Sequence, residues 1–414
     1  MMIVFIISFS SMAQNSWEQI NSPVNEDFVS VCFTDDQHGW ILSEEGTLLI
    51  TQNGGSSWQT RDVGDDTYTC VHFTGQDHGC ITGYADSSVI IISANGGIDW
   101  TNIDHEKAYH LNHVYFYDED IGWAVGIRDN MNYSLYTDDG GSTWVPHMDI
   151  FVMGAELHGV NFRDGLNGNA CGVSGAFFST NSGGTGGWAM NISMPSLGVD
   201  LHSVYNWGML NGCVVGTDGT ALYTTNKWAG YVETTTNTTQ DLYGVSGAPG
   251  TNKLWACGEE GTIIHTPNYI FGWITQATPV TSELNDIQML DENDGWAVGD
   301  DGTILKYGLL PGIIEKQITE LEIFPNPARG NVDCRLSVVD FLFVDLRLYD
   351  LWGREVAIIV QREMMPGEHS FQFNTRQLTP GVYFLRQLAT GPPSLPYGGQ
   401  GKRQLAVKKV IVIE

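Results

Sequence analysis

Basic side chains are scarce in this chain: 19 Lys and Arg stand against 48 Asp and Glu over 414 residues, a formal net charge of −29. The deficit is uneven. Residues 318–414 hold 11 basic and 10 acidic side chains, which leaves 8 against 38 in residues 1–317. So anionic a surface repels phosphate backbones, and nucleic acid is excluded as a partner. No stretch reaches the eighteen or so apolar residues that a membrane-spanning helix needs, so no transmembrane segment is predicted. The seven cysteines are an odd number and show no Cys-x-x-Cys zinc spacing. A phosphate-binding Gly loop, a dinucleotide fingerprint after a strand, a nucleophile elbow and an EF-hand loop are all missing. No cofactor, no metal and no catalytic residue is therefore predicted.

What the chain has instead is repetition. Phe33, Phe73, Phe116, Phe162, Asn206, Gly247 and Met289 fall in register at intervals of 40, 43, 46, 44, 41 and 42 residues. Each unit offers a Val-x-Phe-type strand, a Gly-Trp-Ala-Val-Gly strand (Gly122 to Gly126, Gly295 to Gly299) and a Gly-Thr-Ile-Leu strand (Gly302 to Leu305). A Trp then opens an outer strand, at Trp58, Trp100, Trp144, Trp188, Trp228 and Trp273. Four short strands recurring every forty or so residues predict an all-β fold, a seven-bladed β-propeller over residues 15–308. The seventh unit stops at Tyr307 without its Trp, while an orphan Trp17 lies 16 residues ahead of Phe33. The N-terminal strand is thus expected to complete the last blade, which removes a free sheet edge.

Thr137-x-Asp139-x-Gly141-x-Thr143-Trp144 matches the Asp-box pattern at each position, and the turns at Asn53 with Trp58 and Asn95 with Trp100 are close variants. Asn181 is assigned to the fourth box, which reaches its Trp only after extra glycines, and the fifth, ending at Trp228, is cut short. An Asp or Asn in such a turn accepts from backbone N–H groups, the Gly takes a positive φ, and the Trp packs between sheets. On these residues the region resembles the Asp-box (BNR-type) propellers. The Gly-Trp-Ala-Val-Gly and Gly-Thr-Ile wording is similar to the photosystem II assembly factor family, which implies seven blades and a structural or assembly role.

Both ends read as addresses. Met1 to Phe9 is apolar and is followed by Ser11-Met12-Ala13, so residues 1–13 are predicted to be a secretory signal peptide. Residues 309–318 read as a linker. Then come Phe324-Pro-Asn-Pro, Asp345-Leu-Arg-Leu-Tyr-Asp-Leu-Trp-Gly-Arg, Leu378-Thr-Pro-Gly-Val-Tyr-Phe and a terminal Lys408-Lys-Val-Ile-Val. The short strands with Pro and Gly turns predict a small C-terminal β-sandwich over 319–414. These motifs resemble the type A C-terminal sorting domain of type IX secretion. That resemblance implies the secretion machinery as a partner and a secreted or outer-surface product.

Cys80 and Cys213 stand where other repeats place Trp, and Cys171 and Cys257 where others place Val, so these four are expected as buried free thiols. Cys32, Cys70 and Cys334 stay open. Ahead of the innermost strands stand Thr69, Asn112, His158, His202, Tyr243 and Asn285, with His113 and Asp286 beside them. These residues are expected to ring one mouth of the central channel as a binding face for a small polar ligand, a peptide or a metal. His38 and His78 are expected in solvated loops. Asp-box propellers also include sialidases and glucanases, which makes a glycoside hydrolase the alternative function. Only Arg61, Arg128 and Arg163 are available in the propeller for the arginine cluster that a sialidase needs, and they occupy different parts of the repeat. The reading favoured is a secreted, non-enzymatic binding or scaffold module, with a surface glycan or protein as ligand.

Overall fold

The computed structural model describes residues 16–308, apart from 106–107, 109, 148–151, 184–186, 192–197 and 269–271. In the tail it describes 318–412, apart from 339–341, 351–353, 365–366, 377 and 390–402. The predicted signal peptide and the linker up to residue 317 lie outside the described residues. Two compact units emerge, one spanning Ser16–Gly308 and the other containing the tail.

Among the described residues, the first unit carries seven antiparallel sheets of four strands each. Their first strands are Phe28–Phe33, Thr67–Thr74, His110–Phe116, Leu157–Phe162, Leu201–Trp207, Leu242–Gly247 and Leu284–Met289. Each of these contacts its counterpart in the next sheet, and the seventh contacts the first. Six sheets run in chain order. The seventh takes its fourth strand, Ser16–Ile20, from the other end of the chain, pairing Trp17 with Tyr307 and Ile20 with Ile304.

Aromatic stacking joins one sheet to the next. The second-strand Trp40, Trp123 and Trp296 lie flat on Phe73, Phe162 and Phe33 of the following sheets, with ring centroids 3.8, 3.5 and 4.5 Å apart. Outer Trp58, Trp100, Trp144 and Trp188 meet Phe33, Phe73, Phe116 and Phe162 edge-on. The edge-on pairs are an arrangement that ring quadrupoles favour, while the flat pairs bury large apolar faces between sheets. Where Cys80 or Cys213 replaces the flat Trp, a small buried side chain fills the slot, and all seven cysteines are buried free thiols.

The turns before the outer tryptophans are held by their own side chains. Asp139 Oδ1 accepts from Thr143 N at 2.8 Å and Oδ2 from Thr143 Oγ1 at 2.6 Å, while Gly141 N donates to Thr137 Oγ1 at 2.9 Å. Asn53 and Asn95 make the corresponding bonds to Ser57 and Asp99. The fourth turn differs from the sequence expectation. Ser182, whose N–H donates to Thr180 Oγ1, holds the place that aspartate takes in the third turn, and exposed Asn181 falls one residue out of register.

In the tail, Asn331–Val338 lies in a three-stranded sheet between Ile318–Phe324 and Gly367–Asn374. A four-stranded sheet holds Leu342–Tyr349, Glu355–Met364, Gly381–Ala389 and Arg403–Val412. Val332, Cys334 and Leu336 from the first share one buried cluster with Leu346, Leu348, Leu385 and Val410 from the second.

Candidate functional site

Each of the seven first strands carries a one-residue irregularity near its start. The residues skipped are Val29, Thr69, Asn112, His158, His202, Tyr243 and Asn285. Six of the eight expected ring residues are therefore structurally equivalent, and Val29 is the seventh. A bulge re-aims a side chain out of the strand's alternation. Three of them donate to the next sheet, to the carbonyl just before that sheet's own bulge. Thr69 Oγ1 reaches Leu111 O at 2.7 Å, Asn112 Nδ2 reaches Leu157 O at 2.9 Å, and Asn285 Nδ2 reaches Phe28 O at 3.0 Å. Much of the ring thus ties sheet to sheet.

His158 and His202 stack at 5.3 Å between centroids with planes 6° apart, and Tyr243 meets His202 edge-on at 5.3 Å. Desolvation lowers the pKa of both histidines, to about 4 for His202, where His158 adds to the effect. Both rings are then neutral near pH 7. His158 Nδ1 and His202 Nε2 are buried without a hydrogen-bond partner.

His113 and Asp286 stand one residue past the bulge and face elsewhere. Both line a cavity of about 480 Å³ together with Ser30, Cys32, Cys70, His72, Tyr115 and Gln288. None of the six bulge residues lines it. Asp286 Oδ2 accepts from Val31 N at 2.9 Å, which ties the seventh sheet to the first. Burial pushes the Asp286 carboxyl up and the His113 imidazole down, each opposed by the other's charge. His113 Nδ1 is buried and unpartnered. Burial also raises the Cys32 and Cys70 thiols to about 12, which leaves them un-ionised and poor nucleophiles. No group of three or more His, Cys, Asp or Glu that could hold a metal ion occurs among the described residues.

An acidic rim escaped the reading of the sequence. Asp27, Glu156, Asp200, Asp241 and Glu283 each precede the buried Phe or Leu that opens a bulge. Desolvation raises the Glu283 pKa, and the charges of Asp300, Glu259, Asp241 and Asp27 raise it further, so acids from neighbouring sheets sit close together. Asp200 and Asp241 act likewise on His202, and Glu156 and Asp200 on His158. The signal was present in the repeat as an Asp or Glu immediately before the Phe or Leu in five of seven units.

His78, expected in a solvated loop, instead pairs its Nε2 with Gly140 O of the next sheet at 2.9 Å and packs on Phe116. His38 pairs with Asp35 at 2.9 Å. Arg61 is half-exposed and Arg128 lies over the Tyr133 ring, whereas the Arg163 side chain is 8 % exposed. The three arginines form no cluster.

Solved structures of the same fold are β-propellers. "YCF48 bound to D1 peptide" superposes with a TM-score of 0.57 at 18% identity, covering 73% of this chain and 99% of that one. The WD40 β-propeller domain of Doa1 gives 0.58 at 11% identity, covering 72% and 99%. In sequence, the Ycf48 photosystem II assembly lipoprotein of Picosynechococcus sp. is 26% identical over 314 residues, 72% of this chain and 89% of its own. The chloroplastic photosystem II stability/assembly factor HCF136 of Arabidopsis thaliana is 22% identical over 327 residues, 71% of this chain and 79% of its own. Residues 9–308 match the model of the photosynthesis system II assembly factor YCF48 family, and the chain belongs to that family. Residues 322–391 match the secretion system C-terminal sorting domain.

Proposed function

We propose that this protein is a secreted or cell-surface, non-enzymatic, seven-bladed propeller that binds a Lys- or Arg-bearing peptide at the mouth rimmed by the bulge residues. Seven four-stranded sheets whose first strands contact in sequence and return to the start support seven blades. A shared core between two tail sheets supports a β-sandwich as the sorting domain over 319–414, behind a linker at 309–318. That domain supports export by type IX secretion after removal of residues 1–13 as a signal peptide. The observation that carries the ligand class is the acidic rim. Beyond burial, the charges of Asp300, Glu259, Asp241 and Asp27 raise the Glu283 carboxyl, so a cationic segment would relieve their mutual repulsion. The stacked His158 and His202 rings lie beside Asp200, within that rim. A family member solved with a peptide agrees with peptide as the ligand class.

The test is fluorescence anisotropy of the full-length protein with labelled Lys-rich, neutral and acidic peptides. Basic peptides should bind best, weaken as salt rises, and lose affinity in Asp241→Asn/Glu283→Gln and in His158→Ala/His202→Ala. Equal binding of acidic and basic peptides, or no effect of these variants, removes the proposal. A screen for polysaccharide hydrolysis addresses the glycosidase alternative.

A further inference from the structure

Two of the eight basic residues in residues 1–317 line one pocket at the fourth and fifth sheets. It measures about 430 Å³ and is walled by Arg163, Lys227, Asn167, Asn169, Asn181 and Trp188. Arg163 is the unusual member. Its side chain is 8 % exposed, yet Nη1 is buried without a hydrogen-bond partner. Asp164 reaches only Nε, at 3.9 Å, and its oxygens already accept from Asn167 Nδ2 and from the N–H groups of Leu166 and Asn167. A guanidinium cannot shed its charge to escape burial, so an unfilled N–H in such a place awaits an acceptor.

Lys227 supplies the second observation. In the first three Asp-box turns this position is Gly54, Gly96 or Gly140, each with positive φ. The fifth turn puts Lys227 there and Trp228 at the glycine place that follows, at φ 59° and 63°. Left-handed backbone costs an L-residue about 1 kcal/mol or more, so glycine would be the stabler choice. Such strain at a charged residue beside a pocket accords with a binding role.

We propose that this pocket binds a carboxylate carried by a ligand of monosaccharide to dipeptide size. The Arg163 fork holds it in-plane and Lys227 closes over it as a second charge. The site is separate from the acidic rim and takes a ligand of opposite charge.

Isothermal titration of the full-length protein at low salt uses D-glucuronate against glucose, and Gly-Gly against its C-terminal amide. Binding of an acid but not of its neutral partner supports the pocket, and which acid binds assigns sugar or peptide as the source. Arg163→Lys, which keeps charge and loses the fork, should weaken binding at least about tenfold. Lys227→Gly should weaken it several-fold while raising the melting temperature, a combination that a purely structural lysine would not produce. Basic-peptide binding at the rim should survive both changes. Failure of the folded wild type to bind either acid at about 10 mM overturns the proposal, as does unchanged affinity in both variants.

Discussion

Replacing Trp17 with alanine tests how the seventh sheet is completed. The side chain is 5 % exposed, its ring lies 5.0 Å from that of Tyr307, and Nε1 donates to Gln276 Oε1 at 2.9 Å. It shares a buried cluster with Trp255, Met289, Leu305 and Ala297, so the truncation opens a cavity in a core that joins the sixth and seventh sheets. Large-to-small changes of this kind cost about 3–5 kcal/mol, and the lost indole hydrogen bond adds about 1 kcal/mol. With a urea dependence of about 3 kcal/mol per molar, the midpoint should fall by about 1–2 M. Far-UV circular dichroism against urea reads the transition, and Glu18→Gln, an exposed change on the same strand, should move stability by less than about 0.5 kcal/mol. If Trp17→Ala behaves like Glu18→Gln, the N-terminal strand does not hold the seventh sheet. Removing residues 1–20 should further leave Thr303–Gly308 as a bare edge and produce concentration-dependent association in light scattering.

Stability should fall as pH drops from about 6.5 towards 4. Burial lowers His72 from 6.5 to about 4, and the unfolded chain therefore takes up the proton first, so the stabilisation present above pH 6.5 is lost through that window. His72 alone accounts for about 3 kcal/mol, with His202 and His265 in the same direction, and His72→Gln should flatten the melting temperature against pH. A thiol reagent should label none of the seven cysteines in the native protein and all seven in denaturant, because each is buried and un-ionised; a fast-reacting thiol in the folded protein would contradict the packing around it.

Much of the scaffold was legible because its signals are local and repeated. The Gly-rich turns, the outer tryptophans and a Trp-to-Phe spacing of 16 residues at the N-terminus foretold Trp17 opposite Tyr307. Asn181 was misplaced because the extra glycines of the fourth turn blur its frame, whereas the structure sets Ser182 in the aspartate's place. The residues expected to form one ring divide by what they touch. Thr69, Asn112 and Asn285 proved to be ties between sheets, and His113 and Asp286 proved to line a cavity.

By itself the sequence determined an all-β repeat unit, the chain segment that completes the final sheet, and the export tail. Those follow from turn chemistry and from alternation within a few residues, which need no knowledge of distant neighbours. Only the tertiary structure decided which polar side chain faces a neighbouring carbonyl, which faces the cavity, and that Arg163 is buried with an open N–H. A one-residue bulge swaps the face of every side chain around it, and burial belongs to the packing of whole sheets.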